Sequence, residues 1–408
     1  MNSPGTPVTE TSRSSRRFQG FFAFIGYLIF ACVAVGALTE LAAYGIWRVY
    51  HGARPDKQEK LGRTSPAYQS YPWAAEFWRE EEARRKVHRG QYVPFLLWGV
   101  AEWHGKYVNA DATPLGTLRR TTEMMTDSGR CAGKTATTIW MFGGSTLFGS
   151  GVPDFATIAS YLQHDLNEKG AGCYRVLNLG AEGYNTNQEV ILLEKLLKAG
   201  HHPDIAILYD GVNDSYVGMF APGFPDAHWD YRAIEARVEG SAAGKLEFLR
   251  NSYALRFMRE MVARRAVRGA ASSNLGAKAK AVLDNYEANL RIAKTLGVAY
   301  GFQVQCFWQP SLASGRHELA PYEKQLVELD ANSPEGSAFP LMAVAYEKAE
   351  RRAAEDGQFV FLGGIFDAVK DPLYLDRWMH LGPHGNELAA AALAKYVNTV
   401  KEAPSAQR

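Results

Sequence analysis

From residue 136 onward, short apolar segments alternate with longer segments that have the period of an amphipathic helix. Strands that alternate with helices predict a parallel sheet with helices on both faces, because each helix returns the chain to the start of the next strand. The predicted strands are 136–142, 174–179, 204–209, 302–308 and 359–362, and the predicted helices are 154–169, 187–199, 276–296, 341–354 and 386–396.

Small and polar residues follow the first three predicted strands. These segments are 143–145 (Gly-Gly-Ser), 178–183 (Asn-Leu-Gly-Ala-Glu-Gly) and 210–214 (Asp-Gly-Val-Asn-Asp). Ligands of parallel sheets bind outside the carboxyl ends of the strands, so the three segments are expected to meet at one crevice. Asp376 and His380 lie just before the last predicted helix and supply an acid and a base.

This set of residues matches the requirements of nucleophilic ester cleavage. Ser145 is the candidate nucleophile, and His380 is the base that would accept its proton while Asp376 orients the imidazole. Negative charge on the attacked carbonyl oxygen needs hydrogen-bond donors. The candidates for this oxyanion hole are the backbone N–H groups of Ser145 and Gly183 and the side-chain amide of Asn213.

Four blocks in this order resemble the SGNH hydrolases, the GDSL esterase and lipase family, over roughly residues 136–400. The blocks are Gly143-Gly144-Ser145-Thr146, Asn178 to Tyr184, Gly211-Val212-Asn213-Asp214, and His380 followed by Gly385. Within the family, the residues of the first and third blocks and those just before them, Phe-Gly-Gly-Ser-Thr and Tyr-Asp-Gly-Val-Asn-Asp, resemble those of bacterial membrane-anchored members. The resemblance implies a flavodoxin-like parallel sheet with helices on both faces, an α/β fold, and a serine esterase activity.

The chain departs from the family pattern at two positions. Gly144 stands where the family usually has an aspartate, and Asp376 stands four residues before His380 rather than three. The spacing leaves open a local bulge, orientation of His380 by a carbonyl or a water, or a role for Asp371. His384 is the alternative base.

The other histidines and acidic residues do not indicate a further catalytic or metal site. His201 and His202 are expected in a surface loop at the amino end of the third strand. No compact set of His and acidic ligands indicates a metal site, and no cofactor is implied.

The N-terminal region predicts a membrane anchor. Residues 21–39 contain no charge, and after Glu40 the apolar character continues to Trp47, which is long enough for a helix to cross a bilayer. A cleaved signal peptide, whose apolar core is usually about 7 to 15 residues, and a buried helix of a globular domain are the alternatives.

The side of the membrane is not decided by charge, because basic residues flank both ends of the anchor. Cys131 and Cys173 precede the first two predicted strands and would lie at the same sheet edge, within reach of a disulfide. Two unrelated thiols are the alternative. Since a bridge needs an oxidising compartment, we expect a single-pass protein of a bacterial inner membrane with a periplasmic or extracytoplasmic catalytic domain.

The organisation of the chain follows from these features. We expect a disordered cytoplasmic tail (1–17), a transmembrane anchor (18–50), a linker with an aromatic-rich leading subdomain (51–130), the hydrolase domain (131–400) and a tail (401–408). A helical insertion at about 215–275 is rich in arginine and suits a lid or a surface for an acidic polysaccharide or anionic lipid, with a solvated helix face as the alternative.

The predicted function is a membrane-anchored serine ester hydrolase that removes small acyl groups, acetyl above all, from an envelope or exported polysaccharide. The acyl group and the glycan are implied by the resemblance and the anchor. The alternatives are an O-acyltransferase on the same glycans, a lysophospholipase or thioesterase, and a catalytically decayed assembly protein. The net charge of +2, without a basic stripe interleaved with aromatics, gives no reason to invoke nucleic acid.

Overall fold

The computed structural model describes residues 11–52, 63–87, 90–122, 131, 133–169, 172–220, 225–228, 231–238, 252–255, 258, 274–312, 318–330 and 339–402. The chain divides into two compact units. The first consists of residues 1–56 with 235–265, and the second of residues 57–234 with 266–408.

The first unit is built on one long helix, α1 (Thr11–Gly52). Its stretch Phe21–Val49 is long and apolar enough to cross a membrane, and none of its most apolar window is buried within the protein. A helix in the core of a globular domain is mostly buried, unlike this one among the described residues, whereas a membrane span and a signal sequence both fit its length and composition.

Part of the predicted insertion packs on α1. The Ser252 hydroxyl and the Tyr253 N–H both donate to the Glu40 carboxylate, the latter over 2.8 Å. The ring of Tyr253 lies 5.0 Å from the ring of Tyr44 and 6.3 Å from that of Trp47. The carboxylate that interrupts the apolar stretch is therefore satisfied by hydrogen bonds from the insertion. The arginines at 250, 256, 259, 264, 265 and 268 lie outside the described residues.

The second unit contains one sheet with the order β1-β2-β3-β5-β4-β6-β7-β8. Its parallel part, β5-β4-β6-β7-β8, is the 2-1-3-4-5 order of the flavodoxin-like fold, so the predicted fold class is confirmed. The strands are β1 (Trp103–His104), β2 (Asn109–Thr113), β3 (Gly116–Arg119), β4 (Thr137–Gly143), β5 (Tyr174–Asn178), β6 (Ile205–Asp210), β7 (Gln303–Trp308) and β8 (Val360–Phe361).

Helices cover both faces of the parallel part. Along β4, Ile139 and Met141 join one buried apolar cluster while Trp140 and Phe142 join another, as the two-residue period of a strand requires. The first cluster includes residues of α4 (Ile158–Lys169) and α11 (Pro383–Glu402). The second includes residues of α5 (Thr186–Lys198), α6 (Val212–Phe220), α8 (Leu275–Tyr300) and α10 (Phe339–Asp356).

Some elements were not predicted from the sequence. The strands β1, β2 and β3 add an antiparallel edge to the sheet, and they are too short and too polar to show a period. The other helices of the described residues are α2 (Ala74–Val87), α3 (Ser145–Phe148), α7 (Tyr231–Val238) and α9 (Pro321–Asp330). The segment predicted to start a helix at Asp154 first forms a 3-10 turn, Asp154–Ala156, and α4 begins at Ile158.

A buried carboxylate joins the antiparallel edge to the core. Asp154 accepts hydrogen bonds from the backbone N–H and side-chain amide of Asn109, at 3.0 and 2.7 Å, and pairs with the Arg119 guanidinium at 2.8 Å. Arg119 neutralises the buried Asp154 charge, and Asn109 satisfies its remaining hydrogen-bonding capacity. The contact therefore stabilises the packing of the leading segment, residues 63–122, on the parallel part of the sheet.

Cys131 and Cys173 form a disulfide, with 5.4 Å between their Cα atoms. The parallel pairing of β4 and β5 places the two residues at the same edge, which settles the alternatives that the sequence left open.

The disulfide closes a loop with a sequence separation of 42, so its loss is expected to cost roughly 4 kcal/mol of unfolding free energy through the entropy of the unfolded chain. The variant with Cys131→Ala and Cys173→Ala should show this loss in denaturant unfolding of the detergent-solubilised protein. Reductant should lower the stability of the wild type and leave that of the double variant unchanged. Equal stability of the two oxidised proteins would contradict the prediction.

Candidate active site

Ser145 lies at the junction of β4 and α3. The strand ends at Gly143, the extended Gly144 (φ −81°, ψ −153°) caps the short helix, and Ser145 is the first helical residue. The helix ends at Phe148, and its C-cap residue Gly149 has a left-handed φ of 87°. This strand, turn and helix arrangement places the Ser145 side chain at the carboxyl end of the central strand.

Ser145, His380 and Asp376 form one hydrogen-bonded chain. The Ser145 Oγ lies 2.7 Å from the His380 Nε2, and the Asp376 Oδ2 contacts the His380 Nδ1 on the other side of the ring. A carboxylate at Nδ1 fixes the proton there, so Nε2 is free to accept the serine proton.

The four-residue spacing of Asp376 and His380 is explained by a turn around the carboxylate. The Asp376 Oδ1 accepts hydrogen bonds from the backbone N–H groups of Trp378, Met379 and His380, at 2.9, 3.1 and 3.2 Å. The turn is closed by a hydrogen bond of 2.8 Å from the Leu375 N–H to the His380 carbonyl. The chain therefore bulges around one carboxylate oxygen and brings the imidazole to the other.

The electrostatics of the pair favour an imidazolium opposite a carboxylate. Burial by itself lowers the pKa of His380, but the adjacent Asp376 charge and hydrogen bond raise it, and the net pKa is above the ordinary value. Burial raises the pKa of Asp376, but the imidazole and the backbone N–H groups outweigh burial and lower that pKa to about 2. Asp376 is therefore ionised throughout the neutral range.

The three candidate oxyanion donors come from three neighbouring loops. Within the described residues, the N–H groups of Ser145 and Gly183 donate to no other protein atom. Asn213 is the second residue of α6. One N–H of its side-chain amide donates to the Tyr184 carbonyl over 2.6 Å. A primary amide has two N–H donors, and the second one of Asn213 has no protein acceptor among the described residues.

The structure leaves no room for a side chain at position 144. A Cβ at Gly144 would lie 2.2 Å from the Asn213 Nδ2 and 3.0 Å from the Tyr184 carbonyl oxygen. No side chain fits there while the Asn213 amide holds its position. The glycine block is also connected to α3, because the Asn178 amide donates to the Leu147 carbonyl over 2.8 Å.

The alternative residues from the sequence lie elsewhere. Asp371 is exposed and does not contact His380, and the imidazole of His384 pairs with Glu387 at 3.5 Å on α11. His201 and His202 precede β6 at its amino end, with the His202 Nδ1 3.3 Å from the Pro203 carbonyl oxygen.

Three buried acids lie behind Asn213. Burial raises the pKa of Glu189, Asp210 and Asp214. The negative charges of neighbouring acids raise the pKa of Glu189 and Asp210 further, whereas hydrogen bonds from Thr186 partly offset the effect of burial on Asp214. The Thr186 hydroxyl donates to the Asp214 Oδ1, so Asp214 connects α6 to the start of α5. Asn185 caps α5 by accepting from the Gln188 N–H, and Glu189 is buried among these acids.

Charged residues of the leading segment reach this site and were missed by sequence reasoning. On α2, Glu81 pairs with Arg84 and with Arg85, at 2.8 Å in each case. Arg84 also pairs with Glu182 at 3.4 Å, and the Ser150 hydroxyl donates to the same Glu182 oxygen over 2.8 Å. Nothing local in the sequence marks α2 as a neighbour of the glycine block.

Trp98 was also missed. Its indole N–H donates to the Glu182 carbonyl over 2.9 Å, and its own carbonyl accepts from the Tyr184 hydroxyl over 2.5 Å. The ring lies 6.1 Å from that of Tyr184 and 5.8 Å from that of His228. In the sequence, Trp98 is one of several aromatic residues of the leading subdomain (51–130), and no local pattern distinguishes it from the others.

No family model matches the chain, and no curated protein matches it. Among solved structures, the chain is similar to the acetyl xylan esterase AlAXEase, with 16% identity, coverage of 64% of this chain and 99% of that chain, and a TM-score of 0.35. It is similar to a lipolytic protein of the G-D-S-L family from Veillonella parvula, with 12% identity, coverage of 65% and 99%, and a TM-score of 0.35. A catalytic mutant of the acetylxylan esterase Axe2 from Geobacillus stearothermophilus gives 15% identity, coverage of 64% and 94%, and a TM-score of 0.33.

Proposed function

We propose that this chain is a serine ester hydrolase, attached to a bacterial inner membrane by α1, that removes small acyl groups from an envelope or exported polysaccharide. The observation that carries the proposal is the hydrogen-bonded chain from Ser145 through His380 to Asp376, with 2.7 Å between the serine oxygen and the imidazole. The same residues form the blocks that resemble the SGNH hydrolases.

The geometry supports a two-step reaction. The Ser145 Oγ attacks the ester carbonyl carbon while the His380 Nε2 takes the hydroxyl proton, and the N–H groups of Ser145, Gly183 and Asn213 stabilise the oxyanion. The bond to the alcohol oxygen then breaks, and His380 returns the proton to the sugar hydroxyl that leaves. Water repeats these steps on the acyl-serine, releasing the free acid and the Ser145 hydroxyl.

The membrane location rests on α1 and the disulfide. A helix with a mean hydropathy of 2.4 over its most apolar window is suited to a bilayer, and a disulfide is suited to an oxidising compartment. Together they support a catalytic unit on the extracytoplasmic side, where envelope polysaccharides are found.

Three measurements test the proposed reaction. A fluorophosphonate probe should label the wild type at Ser145, because only an activated serine reacts, and the protein should hydrolyse p-nitrophenyl acetate faster than longer esters. Native envelope glycans should release free acetate. Absence of both labelling and hydrolysis in the folded wild type would refute the esterase and favour a decayed site.

Excess glycan acceptor distinguishes hydrolysis from transfer. If the acyl group passes to a sugar hydroxyl instead of water, the acylated acceptor accumulates and free acid does not. A preference for long-chain esters would instead support the lysophospholipase or thioesterase.

The pH dependence of the reaction follows from His380, which must be neutral to accept the serine proton. Since its pKa is raised, kcat/KM should decline as pH falls through a midpoint above about 6.5. The nearby Glu182 charge raises this pKa and the Arg85 charge lowers it. Glu182→Gln should therefore move the acid limb of the pH profile to lower pH, and Arg85→Gln should move it to higher pH. Shifts in the same direction would contradict this account.

A further inference from the structure

The peptide unit between Glu182 and Gly183 makes hydrogen bonds on one side only. Its carbonyl oxygen accepts the indole N–H of Trp98 over 2.9 Å, while its N–H is the oxyanion donor of the proposed function. The C=O and N–H of a trans peptide point in opposite directions, and the described residues contain no cis peptide. Trp98 therefore contacts the carbonyl edge of this peptide, and the N–H points away from Trp98 on the opposite edge.

The same peptide is the central unit of a tight turn. The Tyr184 N–H donates to the Ala181 carbonyl over 3.1 Å, and Gly183, the third residue of the turn, has a φ of 81°. A left-handed third residue is the pattern of a type II turn. Types I and II differ by a flip of the central peptide, which would reverse the direction of the Gly183 N–H.

Trp98 is itself held in place. Its carbonyl accepts from the Tyr184 hydroxyl over 2.5 Å, and the preceding Leu97 has a φ of 72°, a conformation that a residue with a side chain rarely adopts. Backbone of this kind persists only where the surroundings enforce it. Since Tyr184 also accepts from the Asn213 amide over 2.6 Å, one hydrogen-bonded segment connects Trp98 to two oxyanion donors.

We propose that Trp98 is a positioning residue: its indole N–H holds the Glu182–Gly183 peptide in the type II orientation and so directs the Gly183 N–H at the oxyanion. Donation to the carbonyl also polarises the peptide and makes its N–H a stronger donor. This role rests on the proposed function. It assigns the leading segment a part in the chemistry, as the support of the oxyanion hole.

Trp98→Phe tests the proposal, because phenylalanine keeps a ring and removes only the N–H donor and the second ring. We expect kcat to fall roughly fivefold to tenfold, as for the loss of one hydrogen bond, with KM unchanged. The Ki of a boronic acid that forms a tetrahedral adduct with Ser145 should rise by the same factor. A structural defect alone would lower the active fraction, measured by fluorophosphonate titration, and leave this Ki unchanged.

Trp78→Phe is the matched control. Trp78 lies in the same leading segment, and its buried indole N–H has no hydrogen-bond partner among the described residues. Its replacement should leave kcat and the boronate Ki within about twofold of the wild type. If Trp98→Phe does not fold, Tyr184→Phe loosens Trp98 by removing one hydroxyl and should also raise the boronate Ki.

The outcomes separate the two proposals. Wild-type kcat and boronate Ki in folded Trp98→Phe, together with an active Ser145, would refute the role of Trp98 and leave the esterase intact. A raised KM at constant kcat would make Trp98 part of the substrate-binding surface and would also refute it. Absence of labelling and hydrolysis in the wild type would overturn the esterase and this inference together.

Discussion

Replacing Ser145 with alanine is expected to lower kcat/KM for p-nitrophenyl acetate by about 10⁴-fold to 10⁶-fold. The Oγ is the atom that accepts the acyl group, and no other hydroxyl in the described residues lies within hydrogen-bond distance of the His380 Nε2. Fluorophosphonate labelling should disappear in parallel. Since the hydroxyl is small, the variant should unfold at nearly the same denaturant concentration as the wild type.

The Ser145 variant identifies the nucleophile but not the base. His384→Gln is the control that distinguishes His380 from His384 as the base. His384 is exposed on α11 and pairs with Glu387, so its replacement should not change the rate, whereas His380→Gln should be as inactive as the serine variant. If the Ser145→Ala variant hydrolysed p-nitrophenyl acetate at the wild-type rate, the nucleophile would lie elsewhere.

Replacing Asp376 with asparagine is expected to lower kcat by about 10⁴-fold. The asparagine Oδ1 can still accept from the N–H groups of residues 378, 379 and 380, so the turn is retained. The amide nitrogen, however, would donate to the His380 Nδ1 and so move the imidazole proton to Nε2. An imidazole with its proton on Nε2 cannot accept one from Ser145.

Two comparisons isolate this tautomer effect from a loss of structure. Asp376→Ala removes the turn acceptor as well and should lower stability in addition to activity, whereas Asp376→Asn should lower activity alone. Asp371→Asn should leave the rate unchanged, because Asp371 is exposed and apart from the imidazole. If Asp371→Asn were the inactive variant, the orientation of His380 by Asp376 would have to be abandoned.

Much of the fold could be predicted from local patterns. The five strands of the parallel sheet lie within a few residues of their predicted bounds, because buried strands are continuous apolar runs and the turns after them contain glycine and asparagine. The antiparallel edge could not be predicted in this way. Strands of two to five residues such as β1 and β2 are specified by their partners in the sheet rather than by their own sequence.

Some residues of the candidate site could likewise be predicted from local sequence, and others could not. Ser145, Gly183 and Asn213 each lie within five residues after the end of a strand, so the parallel order brings them to one edge of the sheet as soon as the fold is assumed. The choice between Asp376 and Asp371 was open in the sequence. It depends on a turn of the backbone around one carboxylate oxygen, and residue spacing does not describe such a turn.

The sequence by itself determined the α/β fold, the apolar N-terminal helix and the loops that carry the candidate nucleophile, base and donors, because periodicity and turn chemistry are properties of neighbouring residues. Only the tertiary structure decided that Asp376 contacts His380, that Cys131 and Cys173 are bonded, and that the Trp98 indole donates to the Glu182 carbonyl. The disulfide and the Trp98 contact join residues far apart in the chain, and the Asp376 contact depends on a turn of the backbone that residue spacing does not describe. Their distances depend on how the elements pack, which no local pattern encodes.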